Sequence, residues 1–135
     1  MKLLDIAVVV EPRDDATGMV AAMLRELDAA LQTYLADGKT HVIDLAILPP
    51  DSADRVALQH VLGAGEIEVR INALGTSLLR ETGFAGVWWV RHEDGNGKLL
   101  CESLEVTDVP EIVRAYRTDI QAASARLCGL TALAN

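Results

Sequence analysis

Between Glu66 and Val106 four short apolar segments follow one another with only turn sequences between them, and nothing else in the chain limits the fold so strongly. In EIEVRINAL, Ile67, Val69, Ile71 and Ala73 alternate with Glu66, Glu68, Arg70 and Asn72. That is the pattern of a strand with one dry and one wet face. Further strands are predicted at about Ser77 to Thr82 and Val87 to His92. HEDGNGK then supplies Asp94-Gly95 and Asn96-Gly97, a strong hairpin signal, ahead of a strand from about Lys98 to Val106. Strands joined by such short turns make an antiparallel meander.

The flanking sequence reads as helices and shorter strands. Leu3 to Val10 is an apolar, β-branched run closed by Glu11-Pro12, and His41 to Leu45 is a similar run closed by Pro49-Pro50; both suggest strands. Between them Met19, Val20, Met23, Leu24, Leu27, Leu31 and Leu35 recur at helical steps, with Thr17 or Asp15 as N-cap and Gly38 just past the end. Asp51 or Ser52 caps a second helix that stops at Gly63. A third is expected to start at a capping box formed by Asp108 and Glu111 around Pro110. Its stripe of Val109, Val113, Tyr116, Ile120, Ala123 and Leu127 is expected to lie on the meander, the alternative being a seam for a partner helix. Residues 1–135 therefore read as one α+β domain: a four-stranded antiparallel meander plus one or two N-terminal strands, packed by three helices.

Charge and composition then exclude classes of function. With 20 acidic against 12 basic residues the net charge is -8, which repels nucleic acid and anionic membranes and leaves proteins or small molecules as partners. No apolar run approaches the roughly 20 residues of a membrane helix, and the N-terminus lacks the features of a secretory signal. Cys101 and Cys128 show no paired spacing, so a reducing compartment, the cytoplasm, is expected.

A search for catalytic patterns finds none. Gly63-Ala64-Gly65-Glu66 follows a helix and precedes a strand, the reverse of the order that aims helix N-terminal amides at a phosphate. Gly95-Asn96-Gly97-Lys98 is explained by the hairpin. His41, His60 and His92 are far apart in sequence; a fold could bring His92, Cys101 and a carboxylate together as a metal site, but the ligand count is short. Glu66, Glu68 and Glu81 could pair across strands, although carboxylates on a wet face are usually just solvated. No enzyme and no cofactor are expected.

The remaining oddity is ETGFAGVWWVRH, which sets Trp88 beside Trp89 in a chain with only two Trp, two Tyr and one Phe. Neighbours on a strand point to opposite faces. HVIDLAILP, VLGAGEIEVRI, ETGFAGVWWVRH and SLEVTDVPEIVRA occur in the order and at about the spacing of hydrogenase expression/formation proteins of the HupH/HyaF type, and the resemblance runs from about Met19 to Leu127. Familiar members are longer and carry a further related region. The resemblance implies a non-enzymatic helper for nickel-iron uptake hydrogenases that assists the iron-sulfur small subunit before export, with that subunit or other accessory proteins as partners. Homodimerisation, or a metal or iron-sulfur carrier using Cys101 and His92, are the alternatives. The candidate partner-binding residues are Trp89, Arg91, Phe84, Trp88, Glu81 and Glu66. Because Arg91 shares a face with Trp89 and arginine seldom tolerates full burial, Trp88 is expected inside. Trp89 is then expected on the accessible face, with Arg91 over its ring, the alternative being that helices bury both faces of the strand.

Overall fold

The computed structural model describes residues 18–134. The expected strand from Leu3 to Val10, like the caps at Asp15 and Thr17, lies outside the described residues. The first helix, α1 (Met19–Asp37), starts from Gly18 without a side-chain cap and ends at Gly38, whose φ of 76° suits the left-handed turn that closes the helix. Strand β1 (His41–Asp44) leads through a 3-10 turn (Leu45–Ile47) to α2 (Ala53–Leu62). The Ser52 hydroxyl caps α2 by accepting from the Arg55 N–H at 3.2 Å, as the sequence predicts.

Strands β2 (Glu68–Asn72), β3 (Thr76–Glu81), β4 (Val87–Glu93) and β5 (Leu99–Val106) follow, all within a residue or two of their expected bounds. They form the meander, and β1 adds to its β5 edge, giving an antiparallel sheet in the order β1-β5-β4-β3-β2. The β4–β5 hairpin is closed by Asp94, whose carboxylate accepts from the Asn96 and Lys98 N–H groups at 2.8 and 2.9 Å.

Both faces of the sheet centre are buried. On one, Val20, Met23, Leu27 and Ala30 of α1 and Leu58 and Leu62 of α2 pack with Ile43, Val87, Trp89, Leu104 and Val106. On the other, Leu79, Trp88 and Val90 form a smaller cluster flanked by Val69 and Ile71.

The third helix departs from expectation. Asp108 accepts from the Val109 N–H at 2.7 Å and from Arg114 at 3.0 Å, and the Val109 hydrogen bond, helped by Tyr34, holds its carboxyl below the usual range. Glu111–Val113 make only one 3-10 turn, after which Arg114 is extended, with ψ 142°. The helix proper, α3, is Arg117–Ala134, and none of its residues is buried. The stripe therefore does not lie on the meander. A capping box specifies where a helix can start, not that the next turn continues it, and here the extended Arg114 redirects the chain. Among the described residues no helix is long and apolar enough to cross a membrane.

Candidate functional site

Two of the unusual stretches meet in space. Just past α2, the Gly65 N–H donates to the Glu81 carbonyl at 2.7 Å, while the Gly83 N–H donates back to the Leu62 carbonyl at 2.8 Å. The two backbones are so close that a Cβ on Gly65 would sit 2.5 Å from the Thr82 carbonyl oxygen, so only glycine fits there. Thr82 is buried, and its hydroxyl donates to the Val87 carbonyl at 2.9 Å and accepts from the Phe84 N–H at 3.1 Å. The Val87 N–H closes the loop on the Phe84 carbonyl at 3.0 Å. A tightly bonded corner thus holds up Phe84, which remains 50 % exposed.

Beside this corner lies an open groove of about 400 Å³ lined by Gln59, His60, Gly63, Ala64, Arg80, Glu81, Thr82 and Trp89. Glu81 is half-buried in its wall, and Glu66, next to Gly65, is exposed.

Trp89 forms the floor and not an exposed anchor. It is 6 % exposed and Trp88 4 %, so the expectation that Trp89 lies on the accessible face is overturned. Its indole N–H donates to Glu102 Oε2 at 2.6 Å. Glu102 also pairs with Arg55, whose guanidinium donates to the Leu45 and Leu48 carbonyls at 2.9 and 2.7 Å. Arg91 does not cover the ring; its Nη1 reaches Glu102 at 3.4 Å and its Nε donates to Glu93 at 3.0 Å. Arg91 could share a face with a buried Trp because it sits towards the strand end, where its side chain stays 40 % exposed. Among the described residues no buried side-chain nitrogen or oxygen lacks a partner. The cluster is therefore structural: its polar atoms are taken up by one another and leave none free for chemistry.

Arg55 and Glu102 were not among the sequence candidates. The signal was present: Arg55 stands three and seven residues before Leu58 and Leu62 on one helix face, and Glu102 alternates in phase with Leu104 and Val106. An opposite pair of charges in two otherwise inward-facing registers is the mark of a buried ion pair.

The opposite face carries Trp88, whose indole donates to the Thr107 carbonyl at 3.2 Å. His92 is engaged by the Ser77 hydroxyl at 2.7 Å through Nδ1. Cys101 lies across from His92 in the β4–β5 register but is exposed, as is Cys128. Among the described residues no group of three or more His, Cys, Asp or Glu is gathered to hold a metal.

On this same face Glu105 stands between Trp88 and Val42. Burial pushes its carboxyl above the ordinary glutamate range, with His92 pulling it partly back. A raised folded pKa favours the neutral acid, so this contribution to stability is present at acid pH and is lost as pH rises through the folded pKa. Glu105→Gln should accordingly melt higher than the parent at neutral pH and lose that advantage towards about pH 4, where unfolded glutamate protonates. Melting curves across that range check it, and an advantage independent of pH would refute it.

Known proteins share the fold, and the span of the family match includes both stretches. The hydrogenase expression/formation protein HoxQ of Azotobacter vinelandii is 39% identical over 93 residues, covering 69% of this chain and 32% of that protein. The hydrogenase-1 operon protein HyaF of Escherichia coli K12 is 36% identical over 91 residues, covering 67% and 32%. The chain thus spans about a third of the length of these relatives. A solved structure, the hydrogenase expression protein HupH from Thiobacillus denitrificans, is similar with a TM-score of 0.78 at 38% identity, covering 86% of this chain and 97% of that one. The family described as HupH hydrogenase expression protein, C-terminal conserved region, matches residues 19–133, from the first turn of α1 nearly to the end of α3, and it is to this family that the chain belongs.

Proposed function

We propose that this domain is a non-catalytic accessory protein in the assembly of a nickel-iron uptake hydrogenase, acting in the cytoplasm by binding the precursor of the iron-sulfur small subunit. The observation that carries this reading is the convergence of VLGAGEIEVRI and ETGFAGVWWVRH, two of the stretches by which the chain resembles its family, on one corner. Their backbones are bonded to each other there, and together they hold a half-exposed phenylalanine beside a groove. An aromatic side chain fixed before binding loses little freedom when it is covered, which is what makes such residues anchors. Glu81 and Glu66 supply a polar rim, while Trp89 acts from beneath as support for the groove. Membership in a family whose relatives are named for hydrogenase expression and formation supports a hydrogenase as the system served, and the small subunit is the part that the resemblance implies.

The test is a titration of the purified small-subunit precursor. Phe84→Ala should weaken the complex by about 2 kcal/mol or more while leaving the melting temperature nearly unchanged, because half of the ring already faces water. A precursor that the parent protein does not bind would overturn the reading, and so would Phe84→Ala binding as tightly as the parent.

A further inference from the structure

Helix α3 has no cover, yet its side chains are arranged for one. Tyr116, Ile120, Ala123, Leu127 and Leu130 recur in alternating steps of four and three residues, the spacing of a two-helix seam. Tyr116, Ile120 and Leu127 are each between 57 and 62 % exposed. An 18-residue helix that buries none of its residues gains nothing from tertiary packing, the usual source of helix stability. The charges indicate which cover it takes. Along Arg117–Ala134 the only charged residues are Arg117, Asp119 and Arg126. Asp119 directly precedes Ile120 and Arg126 directly precedes Leu127, so the two flank the same edge of the stripe two turns apart.

From this we infer that α3 is a self-association surface, pairing antiparallel with α3 of a second copy of this chain; the inference is independent of the proposed hydrogenase client. In an antiparallel pair like edges meet. With Ile120 set opposite Ala123 of the partner subunit, two-fold symmetry sets Ala123 opposite Ile120 of the partner subunit and Leu127 opposite Tyr116 of the partner subunit. A large side chain then faces a small one at the centre, where the helices must approach most closely. The same register places Asp119 beside Arg126 of the partner subunit, and symmetry makes that ion pair twice. A parallel pair would instead set this edge against Ser124 and Thr131 and leave the charges unmatched. Among the described residues neither Asp119 nor Arg126 has an ion-pair partner within the chain.

Sedimentation equilibrium of the full chain without any hydrogenase polypeptide tests this directly. The parent should form a dimer, and Leu127→Glu should be a folded monomer, because α3 contributes nothing buried to the core of its own chain. Asp119→Arg alone and Arg126→Asp alone should each weaken the dimer roughly tenfold, as two attractive pairs become two repulsive ones. Mixing these two variants should restore dimerisation, since each then presents the charges the other lacks. A parent chain that stays monomeric throughout would overturn the inference and leave the stripe to another polypeptide. Single reversals without effect, or a mixture that does not recover, would overturn the antiparallel register.

Discussion

Arg55→Met is expected to cost about 3 to 5 kcal/mol, the cost of leaving one charge of a buried pair without its partner. Glu102 is 6 % exposed, so water cannot take over the role of the guanidinium, and the Leu45 and Leu48 carbonyls lose their donor at the same time. The loss is a large part of the roughly 5 to 15 kcal/mol that holds a domain folded. The double variant Arg55→Met/Glu102→Gln should recover part of it, because no charge is then stranded and the amide oxygen can still accept from the Trp89 indole. Denaturant titration of both variants provides the measurement. A single variant within about 1 kcal/mol of the parent would mean that the ion pair is open to solvent, and a double variant worse than the single would mean that stranded charge is not the cause.

The second large effect concerns the tryptophan pair. Trp88→Ala and Trp89→Ala should each remove about 3 to 5 kcal/mol, as deletion of a buried ring does. Strand geometry, together with the cost of burying Arg91 beside Trp89 and the family resemblance, led to a contrast between them, with Trp89 expendable. The structure replaces that contrast with near equality, because each ring fills a separate cluster and each indole N–H has its own buried acceptor, the Thr107 carbonyl or Glu102. Trp89→Phe should separate ring volume from hydrogen bond: it keeps most of the packing but leaves Glu102 short of a donor, at about 1 to 3 kcal/mol. If Trp89→Ala melted like the parent while Trp88→Ala unfolded, the burial described for Trp89 would be wrong. The accessible-anchor reading would then return.

Much of the fold was legible in the order of residues because its signals are local. Alternation in EIEVRINAL, the Asp94 to Gly97 turn, Ser52 before α2 and Gly38 after α1 each act within a few residues, and each is found where the sequence places it. Alternation also set Trp88 and Trp89 on opposite faces, as the β4 register confirms. The family could likewise be read from four short stretches.

What the sequence could not decide were the encounters between distant residues. Whether a strand face is wet depends on what the rest of the chain lays against it. Arg91 looked like the mark of an accessible face, but Arg55 from α2 and Glu102 from β5 meet beneath it and make that face dry at Trp89 and wet only towards the strand end. The opposite error occurred at the C-terminal segment, where a periodic stripe implied cover that the fold does not provide. Periodicity reports that a helix has an apolar side; only the path of the chain, turned outward at Arg114, determines whether the same polypeptide can bury it. The corner at Phe84 has the same origin, since no local rule brings Gly65 against Thr82 or leaves the phenylalanine they support half in water.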